Sequence, residues 1–286
     1  MTRTIGANLT THIAGTAHTR CKMLRLDLVD GTIFAFTDHN QDLTYDLGDG
    51  VATYSAGAGI IPSNLSLSTG FDVDDIEIRG PITEAITRTM ILGGRFEDAT
   101  SRLFQANWDN LADGEIAFLR GFVAQSGIEA GEFRLTIHSE TSKFQQNIGR
   151  VITAYCDADF GDARCGFTPG TLAATVSAVT DDRTFTVTFT GSYANDYWNR
   201  GTVTFLTGAL AGTRPVEVFD WTSGGAVTLW TGLAEAPTIG DTLTLTQGCG
   251  KTRADCLVYG NVINFRGFPD VPGSDQVLKY PNPGSA

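Results

Sequence analysis

The sequence has few of the features that mark membrane-spanning or nucleic-acid-binding proteins. No apolar run approaches the roughly 20 residues that a membrane helix needs, so we expect a soluble chain without a membrane segment. The 286 residues include 20 Lys or Arg against 32 Asp or Glu, which gives a formal net charge of −12. Because non-specific binding to nucleic acid needs clustered basic side chains, we expect no direct nucleic-acid contact.

Catalytic motifs are also missing. The chain has no G-x-S-x-G elbow and no H-E-x-x-H helix. It has four histidines, of which only His39 lies beside a potential partner, Asp38, while His12, His18 and His138 are isolated. Acidic pairs fall in predicted turns, where Asp is favoured for local hydrogen bonding. These absences predict that the chain is not an enzyme.

Cysteine is scarce, but four of the cysteines fall in two short sequence motifs. Of five cysteines, Cys156 and Cys165 form a C-x8-C motif, and Cys249 and Cys256 form a C-x6-C motif after more than eighty intervening residues. Four thiolates at one point would select zinc or an iron–sulfur cluster over hard cations. Structural zinc commonly uses a C-x2–4-C knuckle, but spacing alone does not separate zinc from iron and sulfide. Cys21, in an alternating hydrophobic strand, is predicted to be a buried, inert thiol.

Disulfides are the third interpretation of the paired cysteines. Residues 1–17 contain no apolar core of the roughly 7–15 residues that a secretory leader has. A chain of this length also has enough interior to fold without covalent links. Disulfides are therefore the least favoured of the three interpretations.

Aromatic and basic residues flank the cysteines. The aromatic ones could shield a cluster from water, and the basic ones could offset the charge of the thiolates. Equally, both sets are typical of ordinary core and ordinary surface. The residues are Phe160, Phe167, Phe265 and Phe268, and Arg164, Lys251 and Arg253.

Composition and patterning predict a mainly β protein of two or three domains. We expect a β domain over residues 1–150, and a four-cysteine region over residues 151–286. Within the latter, residues 172–246 show six short alternating runs that predict an inserted small β-barrel or sandwich. The remainder, after Cys256, is predicted to be an irregular tail.

Local signals place several elements in the first 150 residues. Asp30–Gly31 and residues 48–50 predict hairpin turns. Residues 1–19 and 265–286 lack the periodicity of a self-packed element, so we expect partners to order them. Further strands are predicted at residues 64–68, 75–79, 101–108, 116–122 and 132–137, a helix from Thr83 to Gly93, and a polar helix at residues 139–146.

Five sequence motifs are distinctive when taken together. They are FTDHNQDLTY at residues 36–45, IGR at 148–150, CDADFGDARCG at 156–166, GCGKT at 248–252 with Cys256, and NFRGFPDVPG at 264–273. Together they resemble a family of phage tail proteins that are encoded by prophages and gene transfer agents and serve as tail-tip (baseplate) hubs. The resemblance covers nearly the whole chain, and the double-cysteine pattern with its closing Gly-Phe-Pro loop is its most specific part.

The resemblance implies a structural hub of a long non-contractile tail, with N-terminal tail-hub β-barrels. Such a hub would form a homotrimer at the tail tip of a virion-like particle, between the distal tail protein ring and a spike- or fibre-bearing protein, and would assemble in the host bacterial cytoplasm. It also implies a [4Fe-4S] cluster on Cys156, Cys165, Cys249 and Cys256, with structural zinc as the alternative. The competing functional interpretation is a tail-tip enzyme that acts on the cell envelope, or a metal-dependent redox protein.

Overall fold

A computed structural model describes residues 6–16, 18–57, 61–62, 75–146 and 148–271, with backbone only at 61–62. The chain divides into two compact units. The first comprises Met1–Gln146 with Gly212–Arg214, and the second comprises Asn147–Ala211 and Pro215–Ala286. Strands dominate both units, which confirms the predicted mainly β class.

The first unit is built on a seven-stranded antiparallel sheet in the order β2-β1-β7-β8-β9-β6-β5, together with a separate hairpin, β3-β4. Among the described residues, the outer strands β2 and β5 do not pair with each other. The strands are β1 (Arg20–Asp27), β2 (Ile33–Thr37), β3 (Leu43–Asp46), β4 (Val51–Tyr54), β5 (Ile61–Pro62), β6 (Asp75–Pro81), β7 (Thr100–Asn107), β8 (Glu115–Glu129) and β9 (Glu132–Ser139).

Strand β1 is covered on both faces. Leu24 and Leu26 belong to a large apolar cluster, whereas Met23 and Cys21 pack on the opposite face with Tyr54 of the hairpin. This division follows from the two-residue period of a strand. The buried Arg25 side chain pairs with Asp27, 2.7 Å away. Both predicted hairpin turns are confirmed, between β1 and β2 and between β3 and β4.

The N-terminal segment contains a helix that the sequence analysis did not predict, α1 (Ala7–Ala14). Leu9 is 1% exposed, so the expectation that this stretch has no self-packed element is wrong. The Nε2 atom of His12 accepts a hydrogen bond from the backbone N–H of Thr19 at 3.1 Å. The helix is only eight residues long and is anchored mainly through one leucine, which explains its weak periodicity.

Other elements in this unit differ in length from their predictions. The helix expected from Thr83 is reduced to α2 (Arg88–Leu92), whose N-cap Thr87 accepts a hydrogen bond from the backbone N–H of Met90. The polar helix at 139–146 is a 3-10 helix, Glu140–Gln145. Another short 3-10 helix spans Leu111–Asp113. The run predicted at residues 64–68 lies outside the described residues.

In the second unit, six strands between residues 171 and 246 form a closed barrel in the order β10-β11-β14-β13-β12-β15. This confirms the predicted inserted barrel. Alternate strand residues fill its interior, including Trp221, together with Trp198 from the turn between β11 and β12, and both tryptophans are fully buried. Its strands are β10 (Thr171–Val179), β11 (Thr184–Phe189), β12 (Thr202–Phe205), β13 (Val216–Trp221), β14 (Ala226–Leu229) and β15 (Thr242–Thr246).

The chain flanking the barrel contains no strand in its described part. It includes one helix, α3 (Arg253–Val258), and a 3-10 helix at Val262–Asn264. No helix in the described portion of either unit has the length and apolarity needed to cross a membrane.

Candidate metal centre

The barrel brings the two cysteine motifs together. Its first and last strands are hydrogen-bonded neighbours, with Thr171 opposite Thr246. One residue further out, the backbone N–H of Gln247 donates to the carbonyl of Gly170 at 2.9 Å. Closure of the barrel therefore places residues 148–170 beside residues 247–271. We call these two segments the cysteine region.

The first motif is a loop organised by Asp162. Its Oδ1 atom accepts a hydrogen bond from the backbone N–H of Cys165 at 2.6 Å, and its Oδ2 atom accepts one from that of Asp159 at 3.2 Å. The bond from Cys165 is the main reason that the pKa of Asp162 lies below its usual value. The carboxylate thus fixes the backbone next to one predicted ligand.

The second motif leads into α3. Thr252 caps this helix, and its side chain and that of Asp255 form a reciprocal capping box. Cys256 lies inside the helix, and Cys249 lies just before it. The backbone N–H of Lys251 donates to Cys249 Sγ at 3.4 Å, from a residue with a φ of 60°. A cap and a left-handed residue therefore orient both cysteines of this motif.

Direct contacts join the two motifs. The backbone N–H of Cys156 donates to the carbonyl of Lys251 at 2.8 Å. The amide of Asn261 donates to the carbonyl of Cys165 at 2.7 Å and lies 3.6 Å from its Sγ. All four predicted ligands, Cys156, Cys165, Cys249 and Cys256, line one cavity of about 20 Å³. This exceeds the roughly 10–15 Å³ that a bound water needs, so the cavity has room for a small group.

Mononuclear zinc and a four-iron cluster place different demands on the four thiols. A single zinc ion with bonds of about 2.3 Å would hold its sulfurs within roughly 4 Å of one another. In the part of the chain that the structure describes, no three Cys, His, Asp or Glu side chains converge closely enough to hold one metal ion. In a [4Fe-4S] cluster each thiolate binds a different iron, so the sulfurs surround the group instead of meeting at one point.

The thiols are free and partly withdrawn from water. None of the five cysteines forms a disulfide. Burial raises the pKa of Cys249 and of Cys256, and for Cys256 the other three cysteines of the site raise it further. Because thiolates are the ligands of metals, a bound metal would have to displace these protons.

Aromatic side chains cover one side of the cavity. Phe160, Phe167 and Tyr259 form a mutually packed triad with ring centroids 5.0–5.1 Å apart. Phe265 lines the cavity, whereas Phe268 lies 40% exposed beside the guanidinium of Arg150. Three of the four phenylalanines singled out in the sequence thus lie at the site.

Burial raises the pKa of Cys249, and the charge of Lys251 opposes this effect, as expected of a basic residue that offsets thiolate charge. Arg164 pairs with Asp157 at 3.2 Å, and Arg253 pairs with Asp270 at 3.3 Å. The ammonium group of Lys251 donates a hydrogen bond to the carbonyl of Ala158, and the backbone N–H of Lys251 donates one to Cys249 Sγ. Carboxylates and carbonyls thus engage these cations.

Sequence reasoning missed Tyr259 and Asn261. The Tyr259 hydroxyl donates to the carbonyl of Gly248 at 2.7 Å, and the Asn261 carbonyl accepts a contact from Cys256 Sγ at 3.1 Å. Both residues follow α3. Because this helix was not predicted from the sequence, the positions of the residues after it were not predicted either. The one signal was their place in the short Tyr-Gly-Asn turn after the second motif.

The other histidine and cysteine candidates lie outside this centre. Asp38 Oδ1 accepts the backbone N–H of Lys22 at 2.7 Å, and the His39 ring packs on Trp108 with centroids 4.8 Å apart. The two side chains therefore stabilise local structure instead of forming a dyad. Cys21 is 2% exposed, as predicted, and burial raises the pKa of its thiol.

The fold and the comparisons with known proteins together define a class, the structural proteins of phage-like tails. The family described as "Baseplate hub protein, N-terminal attachment domain" matches residues 6–168, more than half of the chain. The chain belongs to this family, and its role is that of a structural tail hub. A second family, described as "Phage conserved hypothetical protein BR0599", matches residues 196–275.

A solved structure extends the likeness through both units. It is a chain of the "Virion of native gene transfer agent (GTA) particle", with a TM-score of 0.84 and 26% sequence identity. The match covers 98% of this chain and 97% of the other. No curated protein matches the sequence.

Proposed function

We propose that this chain forms the hub at the tip of a long non-contractile tail, of a prophage or a gene transfer agent, and joins the distal tail protein ring to a spike- or fibre-bearing protein. The observation that carries the proposal is the likeness to a gene-transfer-agent chain over 98% of the residues. Because that likeness runs through both units, the whole chain is expected to serve the tail.

The units suggest how the two partners are divided. The attachment-domain family covers residues 6–168, so the first unit is the natural partner of the distal tail ring. The second unit would then face the spike- or fibre-bearing protein. We propose a homotrimer without enzymatic activity, assembled in the bacterial cytoplasm.

Gene deletion and complementation test the hub role. Cells that lack this chain should produce tails without a tip, or no tails, by electron microscopy, and the wild-type gene should restore them. Mass measurement of purified tips should find three copies. Normal tails without the chain would contradict the hub role, and one copy per tip would contradict the trimer.

For the cofactor, we propose a [4Fe-4S] cluster on Cys156, Cys165, Cys249 and Cys256, with structural zinc as the alternative. Support comes from the four cysteines, whose free thiols line one cavity. When bound, the cluster would supply four iron–thiolate bonds that link the two motifs. The protein would contribute the Asp162 loop, the cap of α3 and the aromatic cover.

Metal and sulfide analysis of anaerobically purified protein tests the cofactor. We expect about four iron and four sulfide per chain, with a brown colour that bleaches on chelation. Cys165→Ser should lose the iron, whereas the matched Cys21→Ala should keep it. Stoichiometric zinc in colourless protein would support the alternative, and two intact disulfides would overturn both.

A further inference from the structure

The outer wall of the barrel carries an exposed pair of aromatic side chains. Phe219 of β13 and Trp230, which follows β14, are 47% and 51% exposed. Their ring centroids lie 4.7 Å apart at an interplanar angle of 80°, an edge-to-face pair. Phe219 lies in a strand of the closed barrel and Trp230 directly follows one, so a rigid scaffold presents them to solvent.

A β-bulge sets the direction of this pair. Val218 pairs with Leu229 and Asp220 pairs with Thr228, so Phe219 is an extra residue without a partner in β14. Val218 and Trp221, which flank the bulge, are both fully buried in the barrel. Consequently the two bulge residues, Phe219 and Asp220, both project outward, and bulges of this kind commonly re-aim side chains at binding sites.

Polar groups border the two rings on the same face. The backbone N–H of Trp230 donates to the carbonyl of Glu217 at 3.0 Å, which sets these residues side by side. Thr202 of β12 lies opposite Glu217, and Thr228 lies opposite Asp220. Within the described residues, neither Glu217 nor Asp220 forms an ion pair. The face therefore combines two aromatic rings with two free carboxylates and two hydroxyls.

We propose that this face binds a neutral oligosaccharide. The C–H face of a sugar ring packs on an aromatic ring, and its rim of hydroxyls donates to carboxylates and exchanges hydrogen bonds with threonine. An apolar protein surface would instead remove water from two unpaired carboxylates, which is costly. An acidic polymer would meet like charge at Glu217 and Asp220. A neutral, hydroxyl-rich ligand offers a partner to each ring, carboxylate and hydroxyl described above.

This recognition role goes beyond the hub function and is independent of the cysteine centre. The hub proposal concerns contacts with other tail proteins, whereas this face would contact a glycan. A hub without this property would still assemble, so the two ideas fail separately.

Binding measurements on the full-length protein test the proposal. The probes are four neutral tetrasaccharides, namely maltotetraose, cellotetraose, mannotetraose and the tetramer of N-acetylglucosamine, followed by calorimetry and tryptophan fluorescence. We expect at least one to bind with a Kd of about 1 mM or tighter. Trp230→Ala and Phe219→Ala should each weaken that binding about ten-fold or more.

Matched variants separate a direct role from a general effect. Ile239→Ala removes another exposed apolar side chain, 66% exposed, and should leave binding unchanged. Trp230→Tyr keeps an aromatic ring and should retain most of the affinity, and Glu217→Gln should weaken binding by a smaller factor. Trp108→Phe, in the first unit, should leave the sugar-dependent fluorescence change in place.

Three results would overturn the proposal. The first is the absence of binding by all four probes at about 10 mM. The second is wild-type affinity in both Trp230→Ala and Phe219→Ala. The third is a failure of Trp230→Ala to enter tails while its sugar affinity is unchanged, which would identify the pair as a protein contact.

Discussion

The barrel and the cysteine region lie in the same unit, but their interiors differ. The barrel buries large side chains such as Trp198, Trp221 and Phe185 at 1% exposure or less. The cysteine region has no strand in its described part, and its buried side chains are essentially Ala158 and Cys165. Burial of apolar area contributes roughly 25 cal/mol per Å² to the stability of the barrel, so the barrel needs no bound group.

The cysteine region instead exposes much of its apolar surface. Among its exposed residues are Ile152, Val258 and Ile263, at 65%, 85% and 87%. A segment that buries so little apolar area offsets less of the entropy of ordering its backbone, which is about 1–2 kcal/mol per residue. We therefore expect the order of this region to depend on the proposed cofactor, whereas the barrel depends on its own core.

The largest effect is expected from Trp221→Ala, which removes a fully buried side chain from the barrel. The free energy of unfolding of the barrel should fall by about 3–5 kcal/mol. Because barrel closure brings the two motifs together, bound iron should fall as well. Denaturant titration and iron analysis measure both, with the half-exposed Trp230→Ala as the control. If a variant with an unfolded barrel kept its full iron content, iron binding would not depend on closure of the barrel.

Cys165→Ser should affect the cysteine region and spare the barrel. Loss of one thiolate ligand removes binding free energy that also stabilises folding. Limited proteolysis should then cut first within residues 148–170 and 247–271, and the barrel should persist as a resistant core. Equal cleavage in both regions, or cleavage of the barrel first, would show that the cysteine region does not depend on the ligand more than the barrel does.

Asp162→Ala should weaken the site without removing a ligand. Its carboxylate accepts two backbone N–H groups of the first loop, so the loop should lose order and the protein should bind iron less tightly, by a few-fold. Asp159→Ala is the matched control, because that side chain in the same loop is 95% exposed. Competition with a chelator provides the measurement. Identical iron retention in the two variants would contradict a role for Asp162.

Acidification should weaken cofactor binding in a predictable direction. Burial raises the pKa of Cys249 and Cys256, so lower pH populates thiols that must lose their protons before they ligate. Reconstitution of the apoprotein with iron and sulfide should therefore become more complete as pH rises through the neutral and mildly alkaline range. Reconstitution that improves on acidification would mean that thiolates are not the ligands.

Cys21→Ala should have the smallest effect. This thiol is buried in β1 and contacts the carbonyl of Ala106 at 3.8 Å, in the first unit. A loss of about 1 kcal/mol of stability is expected from the small void. Iron content should not change, and any decrease would reassign Cys21 to the site.

Sequence patterns predicted the barrel well because its strands alternate strictly between apolar and threonine positions, as β15 does over Thr242–Thr246. They predicted short helices poorly. Helix α3 buries no side chain, so its sequence has no apolar stripe that would predict a helix. Its N-terminus is instead stabilised by the capping box of Thr252 and Asp255. Strand β8 extends to Glu129, beyond its predicted end, because β9 pairs with its polar half.

Part of the site was likewise predictable. The four cysteines were identified from spacing and resemblance, but their approach depends on the pairing of β10 with β15, a contact between distant residues. Such closure has no local sequence signal. The contacts of Asn261 with Cys165 and of Tyr259 with Phe160 depend on that closure as well.

Hydrogen–deuterium exchange on anaerobically purified protein, before and after removal of its metal, tests the central claim most directly. The account predicts that protection in residues 148–170 and 247–271 falls sharply when the metal is removed, while β10 to β15 stay protected. Unchanged protection in the cysteine region, or an equal loss across the barrel, would contradict it.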